Sequence, residues 1–448
     1  MKKSRPNKIV VVGAGLAGSE AAWQLAQRGI AVDLYEMRPK TLTPAHVSGN
    51  FGELVCSNSL GSILGLTSAS LLKDEMRLFD SLILKAGESA RIPAGSALAV
   101  DRDRFSERIT EVLKTHPLIT VHGGVVSKIP EMPAIIATGP LTHESLSEAI
   151  QNLVGGPMLS FFDAAAPIVL KETVDMNHAF WGSREGNQDY LNCPLTSDEY
   201  RIFHDALIHA EQHPGHDFES SAFFEGCLPI EELARRGFKT PLYGPMKPIG
   251  LINPFEHGRR PYAVVQLRQD NAAGSLLSLV GFQTNLRWGE QKRIFGLIPA
   301  LKNAEFVRFG VMHRNTYLRS PAVLKSTLNA VAREDLWFAG QMTGVEGYVE
   351  SAATGIMTAQ YIVPWISGRP IEEFPRESMM GALAHYITHT DAKNFQPMNA
   401  NFGLMNLPEH IAKIHDKKAR RQWIRDHALE SLQDYSTRTQ TEVSHEAG

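Results

Sequence analysis

One stretch near the start restricts the fold more than any other. Lys8-Ile9-Val10-Val11-Val12 is a β-branched run that breaks into Gly13-Ala14-Gly15-Leu16-Ala17-Gly18. A helix-compatible segment follows over 19–29, then a second apolar run over 31–35 that ends on Glu36. In such a unit Gly13 makes the tight turn and Gly15 lets backbone approach a pyrophosphate. Gly18 lets the helix pack close to the strand, and the helix N-terminus, through the backbone of Ala14, Leu16 and Ala17, offers N–H donors and positive dipole to phosphates. Glu36 falls roughly 20 residues beyond the glycines, where an acid accepts ribose hydroxyls. A bare GxGxxG recurs in many chains. Strand, glycines, helix, strand and acid in this order specify a nucleotide-binding βαβ unit.

Two later segments extend that unit. Pro133-Ala134-Ile135-Ile136-Ala137-Thr138-Gly139-Pro140 reads as a buried strand running into Ala-Thr-Gly, an ending common to flavoproteins with two dinucleotide folds. Asp335-Leu336-Trp337-Phe338-Ala339-Gly340-Gln341 reads as a strand followed by spaced glycines, Gly344 and Gly347, and a helix over 351–361. That pattern resembles the C-terminal FAD motif, whose helix N-terminus faces the flavin. Three pieces in this order point to FAD, not NAD, as the resident cofactor. The fold expected is α/β: a Rossmann-like FAD-binding domain of the glutathione-reductase type with an inserted α+β domain. Its first part spans 1–160 and the inserted substrate domain 161–324. Residues 325–448 supply the second part with C-terminal helices. Within the insert, strands are expected over 166–170, 262–267 and 305–311, with a helix over 197–211. Beyond it, helices are expected over 376–388 and 408–433, before a frayed polar tail from Ser436.

Composition removes several alternatives. Three cysteines in 448 residues cannot build a disulfide framework, and their odd number suits a reducing cytoplasm. Cys56, Cys193 and Cys227 are far apart with no CxxC, so no metal site is expected. No run approaches the roughly 18 apolar residues of a membrane span. The basic start, Met1 to Pro6, leads into the first strand and not into a signal-peptide core. A formal net charge of −3 argues against wholesale polyanion binding but leaves room for a local basic surface.

Flavin chemistry needs a group that handles the second substrate, and cysteine is the candidate. Cys56 lies in the polar stretch Glu53-Leu54-Val55-Cys56-Ser57-Asn58-Ser59-Leu60-Gly61. Cys227 precedes Leu228-Pro229-Ile230, where Pro229 suits the first turn of a helix whose positive end favours a thiolate. Each also reads as a small buried hydrophobe, the usual fate of a lone cysteine. Cys193 has no activating neighbour in sequence and is read as structural. Basic residues gather at Arg235, Arg236 and Lys239, at Arg259 and Arg260, and at Lys417, Lys418, Arg420, Arg421 and Arg425, with aromatics such as Phe238, Tyr243 and Trp288 interleaved. Such mixtures either grip an RNA backbone or form a solvated face.

Taken together, these segments resemble one family over nearly the whole chain: the bacterial folate- and FAD-dependent tRNA (uracil-5-)-methyltransferases. The resemblance rests on the glycine motif, the Cys56 and Cys227 stretches, Leu242 to Pro248, PYAVVQLRQDN (261–271), MHRNTY (312–317), Gly340 to Gly355 and NFQPMNANFG (394–403). It implies that 5,10-methylenetetrahydrofolate donates a one-carbon unit to C5 of the T-loop uridine of tRNA. Reduced FAD supplies electrons, and NADH or NADPH re-reduces it. It also implies roles: Cys227 as the nucleophile at uracil C6, Cys56 as the base at C5, and Tyr348 beside the flavin. Gly13 to Gly18, Glu36, Gly340, Gln341 and Gly347 would hold the cofactor. A buried target uridine must be extruded from the tRNA elbow, with Arg235, Arg236, Lys417, Lys418, Arg420 and Arg421 expected on phosphates. Two other readings share part of this pattern. A small-molecule FAD oxidoreductase gives no reason for two loop cysteines. The wobble-uridine flavoproteins are longer, with an added helical C-terminal region.

Overall fold

Because Ile9 to Val12 are apolar on both alternating faces, this strand is expected at the centre of a sheet covered on both sides. The computed structural model, which describes residues 5–156, 158–184, 186–213, 228–256, 258–310 and 312–444, places it there. Lys8–Val12 is the middle strand of a parallel sheet ordered Leu336–Phe338, Ala134–Ile136, Lys8–Val12, Ala31–Glu36, Ile119–Gly123. The three motif segments read from sequence are therefore adjacent strands, although two of them are some 200 residues apart. Helix Leu16–Ala26 begins inside the glycine motif. It crosses helix Tyr348–Ser367 at small residues, where a Cβ on Gly355 would sit 2.3 Å from the Ala17 carbonyl oxygen.

A second sheet is antiparallel, with the order Phe180–Trp181, Tyr190–Leu195, Ala263–Gln269, Leu276–Leu279, Ile168–Leu170, Phe306–Arg308. Helices Ser197–Ile208 and Trp288–Phe295 cover it, and Leu191, Phe203, Val265, Phe282 and Phe295 form a core separate from that of the parallel sheet. Cys193 lies in this core, and burial pushes its thiol well up, which keeps it protonated and inert. The antiparallel pair Leu159–Ala164 and Met312–Tyr317 lies where the chain leaves the first sheet and returns to it. A small sheet of Ser59–Ser62, Ala97–Val100 and Arg91–Ile92 sits beside the parallel one.

Several boundaries differ from the sequence reading, each for a local reason. The strand expected over 305–311 is only Phe306–Arg308. The helix expected over 376–388 runs Met379–His389, because the Ser378 hydroxyl caps it by accepting from the Gly381 amide. Glu75, from helix Ser68–Leu78, also accepts the Met379 and Met380 amides at that end. The single helix expected over 408–433 is two, Glu409–Ala412 and Lys417–Ser444. Asp416 divides them by accepting from the Lys418 and Ala419 amides. Of the tail expected to fray from Ser436, the described residues to Ser444 are instead helix, docked through Tyr435 and Ser436. No helix among the described residues is long and apolar enough to cross a membrane.

Tyr435 is fully buried, its ring 4.6 Å from that of Phe374, and its hydroxyl donates to the Glu372 carbonyl at 3.3 Å. Tyr435→Ala is expected to lower unfolding free energy by about 3 kcal/mol, as for other large buried aromatics. Denaturant titration checks this; an unchanged midpoint would mean the last helix is not docked.

Candidate active site

A cavity of about 610 Å³ runs along the carboxyl ends of the parallel strands, the usual ligand position in open α/β sheets. Val12, Gly13, Glu36 and Ala137, each at a strand end, line it. Gly13 has φ +98°, and a Cβ there would stand 2.6 Å from the Ala137 carbonyl oxygen. Gly15 has no atom within 4 Å of its would-be Cβ, so its backbone faces open cavity. A side chain at Gly15 would occupy that space, and the bare backbone suits close approach of a pyrophosphate. Leu16 and Ala17 also line the cavity. Ala14 and Gly18 stand behind it. The Ala14 amide donates to Glu36 Oε2 at 2.9 Å, and a Cβ on Gly18 would fall 1.8 Å from the Gly13 carbonyl oxygen.

Glu36 closes one end. Its carboxylate accepts from the amides of Ala14 and Arg38 and from Arg38 Nε and Nη2 at 2.9–3.2 Å. Burial works against its charge, but the Arg38 guanidinium holds the carboxyl below the usual range. Arg38 itself is buried and also donates to Glu53 at 3.1 Å. Glu53 accepts in turn from the Val47 and Ser48 amides and the Ser48 hydroxyl. Four donors thus fill the Glu36 acceptor positions. A ribose hydroxyl reaching Glu36 would exchange with one of the Arg38 bonds.

The other end is built by the segment after strand Leu336–Phe338. Gly340, Gln341 and Gly347, singled out from the sequence, line the cavity. The Gly340 amide donates to Thr354 Oγ1 at 2.6 Å, and Gln341 donates to Glu346 at 2.6 Å. Helix Tyr348–Ser367 starts at Gly347, so its first turn and the positive end of its dipole face the cavity. Tyr348 stands over the Cys56 loop. Its hydroxyl oxygen accepts from the Cys56 amide at 2.7 Å and from the Ser57 amide at 3.2 Å. Desolvation raises the phenol, which stays neutral.

Three arginines fix the same loop. Arg102 donates to the Leu54 and Cys56 carbonyls at 2.5 and 3.4 Å and pairs with Asp270 at 3.1 Å. Arg308, from the second sheet, donates to the Val55 carbonyl at 2.6 Å. Arg268 donates to buried Asn58 at 3.1 Å. Burial opposes the charge on Arg102, yet Asp270 shifts it upward; burial and the neighbouring Arg102 lower Arg308. Cys56 is half-buried on a loop whose Leu54, Val55 and Cys56 carbonyls these arginines hold.

Cys56 and Tyr348 therefore meet at one wall, although 292 residues separate them. Cys227 lies outside the described residues. The residues after it are described: Pro229 precedes helix Ile230–Arg235, and the Ile230 amide donates to the Gln283 carbonyl at 2.8 Å. Sequence reading missed Arg38, Glu53 and Glu350. All three line the cavity and stand within motifs already singled out or two residues from one. It also missed Arg102 and Arg308, whose ordinary sequence surroundings carry no motif, and Arg268, which lies inside PYAVVQLRQDN but was not singled out there.

The glycine cradle, the open face at Gly15 and the helix ends at both sides of the cavity define a dinucleotide-binding protein of the flavoprotein type. The family model described as glucose inhibited division protein A matches residues 8–370. The fold is similar to that of Aquifex aeolicus GidA, with a TM-score of 0.67 at 14% identity over 100% of this chain and 77% of that one. Two relatives are much closer in sequence, both named methylenetetrahydrofolate--tRNA-(uracil-5-)-methyltransferase TrmFO. The Enterococcus faecalis protein is 56% identical over 425 residues, 94% of this chain and 97% of the relative. The Bacillus subtilis protein is 55% identical over 430 residues, 96% of this chain and 98% of the relative. The chain belongs to this methylenetetrahydrofolate--tRNA-(uracil-5-)-methyltransferase family.

Tyr348→Phe removes the acceptor of two loop amides, at about 1–3 kcal/mol for an orphaned buried donor. Hydrogen exchange at Cys56 and Ser57 is expected to quicken by roughly tenfold or more. Unchanged exchange would show that the hydroxyl does not hold the loop.

Proposed function

We propose that the protein methylates C5 of the T-loop uridine of tRNA, U54, with 5,10-methylenetetrahydrofolate as one-carbon donor, FAD as resident cofactor and NAD(P)H as reductant. The observation that carries this reading is the position of Cys56: a thiol on a cation-held loop at the far end of a cavity whose other end is shaped for a dinucleotide. Membership of the family supports the reaction as a whole. Gly13 to Gly18, Glu36, Gly340, Gln341 and Gly347 would hold FAD, which when bound supplies the electrons that complete the methyl group.

The chain's own part is to make a poor carbon nucleophile react. Uracil C5 gains electron density when a thiolate adds to C6, and we assign that thiolate to Cys227. The resulting enolate forms the new bond from C5 to the donated carbon. Cys56 takes the C5 proton as the carbon–nitrogen bond to the donor breaks and tetrahydrofolate leaves; a hydride equivalent, for which NAD(P)H is the ultimate source, then adds at that carbon, and departure of the Cys227 thiolate restores the C5–C6 double bond. Tyr348 acts by holding the Cys56 backbone. Arg102 and Arg308 hold the Leu54, Val55 and Cys56 carbonyls and so fix the loop that carries the thiol. The unit built on the antiparallel sheet, 161–324, is the substrate domain in this proposal, framed by 1–160 and 325–448. The reaction belongs in the cytoplasm, where thiols stay reduced.

The tRNA partner finds support in the last helix. Lys417, Lys418, Arg420 and Arg421 crowd the N-terminal end of helix Lys417–Ser444, whose first turn holds no acid. Cations there oppose the helix dipole, an arrangement that becomes favourable when a phosphate binds among them. Arg235 and Arg236 lie at the end of helix Ile230–Arg235, each within 4.0 Å of Glu232.

Two experiments test the proposal. Protein incubated with T-loop-unmodified tRNA, methylenetetrahydrofolate and NADPH is expected to form 5-methyluridine. Cys227→Ala should abolish it, and Cys56→Ala should slow it by about a hundredfold or more, with flavin retained in both. Undiminished methylation in either variant refutes that cysteine's role. Charge reversal at Lys417, Lys418, Arg420 and Arg421 is expected to weaken tRNA binding and to lower its salt slope by roughly 1 for each phosphate no longer neutralised. An unchanged slope places the RNA elsewhere.

A further inference from the structure

Lys73, on helix Ser68–Leu78, is a fully buried lysine that none of the chemistry above uses. Its ammonium donates to the Ser62 and Ala69 carbonyls, each at 3.0 Å, which occupies two of three N–H bonds. Among the described residues, no carboxylate lies close enough to form an ion pair with it. A buried cation without a contact counter-ion is costly to a fold, so its place asks for a reason.

That place is the wall of the cavity. Gly61 and Ala69, both lining residues, lie directly in front of the ammonium: a Cβ on Gly61 would sit 3.5 Å from Nζ. Gly61 closely follows Cys56 in the same loop and strand. The carboxyl that acts most on Lys73 is Glu350, ahead of Asp74 and opposed by Arg77; Glu350 also lines the cavity and occupies the first turn of helix Tyr348–Ser367. Glu350 accepts from the Ala400 amide at 3.0 Å, and burial raises its carboxyl. Burial lowers Lys73 to about 8, so it remains mostly cationic at neutral pH.

We propose that Lys73 is the electrostatic residue of the flavin end: its fixed positive charge behind Gly61 stabilises the negative charge that the isoalloxazine acquires on reduction. The inference rests on the cavity holding FAD with its adenosine toward Glu36 and its ring toward Cys56 and Tyr348. Charge near the flavin ring is one of the levers by which a protein sets its potential. The field needs no contact with substrate, which explains a cation held behind the wall and not on it.

The test is the midpoint potential of the FAD-loaded protein, read by equilibration with a redox dye, in the parent and in Lys73→Met, Lys73→Gln and Lys73→Arg. Removing the charge is expected to disfavour two-electron reduction by tenfold or more, about 30 mV more negative. Lys73→Arg should stay close to the parent. Flavin-loaded Met and Gln variants with the parent's potential overturn the inference while leaving the FAD reading intact. A parent that carries no flavin absorbance overturns both. Loss of flavin from Met and Gln variants but not from Lys73→Arg supports it, since charge alone separates them; loss from all three assigns Lys73 to packing and overturns it.

Discussion

The contact on which the rest of the molecule depends is the approach of the first helix to the first strand at Gly13 and Gly18. With no Cβ on Gly18, the helix backbone can lie against the Gly13 carbonyl, where any side chain would fall at 1.8 Å. That approach aims the helix N-terminus along the carboxyl ends of the strands. It also brings Ala17 and Ala21 against Gly355, so the long helix Tyr348–Ser367 can lie flush beside the first. The long helix carries Tyr348 and Glu350 at its start, and they reach the cavity only because the two helices are this close. Two small-residue contacts therefore set the distance between the dinucleotide cradle and the wall that bears Cys56.

The second constraint is a set of charge-assisted ties between the two sheets. Arg308 and Arg268 belong to the antiparallel sheet, yet they end on Val55 and Asn58 of the Cys56 loop. Arg102 runs the other way, from the first core to Asp270 of the second. Such pairs contribute little net stability after desolvation, but they specify geometry closely. The Cys56 loop is thus held from both sides, by the phenol of Tyr348 on one core and by guanidinium groups on the other.

Much of the fold was legible because its signals are periodic or local. The run 8–12, the glycines 13–18, Glu36 and the segments at 134–140 and 335–341 each carry their own pattern, and all became neighbours in one parallel sheet. Cys56 stood out as a candidate, since a thiol in a polar loop is unusual, but nothing in the sequence placed it against Tyr348. What stayed hidden depends on long-range partners. Nothing near Lys73 in sequence says that it is buried without a counter-ion, and Arg38 gives no local sign that it fills the acceptor positions of Glu36. The break at Asp416 and the docking of Tyr435 were missed for a related reason. Apolar spacing continues through both, and only a side-chain cap and a buried ring decide them.

The two ends of the cavity solve the burial of charge differently, and the difference follows what each end must do. At Glu36 the charges are closed on themselves: Glu36, Arg38 and Glu53 form a chain in which opposite charges touch. That end has to present hydrogen bonds to a ligand whose charge does not change, so neutralised side chains suffice. At Lys73 the charge stands without a contact counter-ion, fixed by the Ser62 and Ala69 carbonyls, while the Glu350 carboxyl, which burial raises, is held by the Ala400 amide. A cation in contact with an anion would lose most of its field, whereas one held by carbonyls behind Gly61 keeps it. Reduction and proton transfer change the charge of whatever lies there, and a fixed field acts on that change without moving an atom of the protein. A buried cation held in this way is matched to a ligand that gains negative charge in the cavity during turnover.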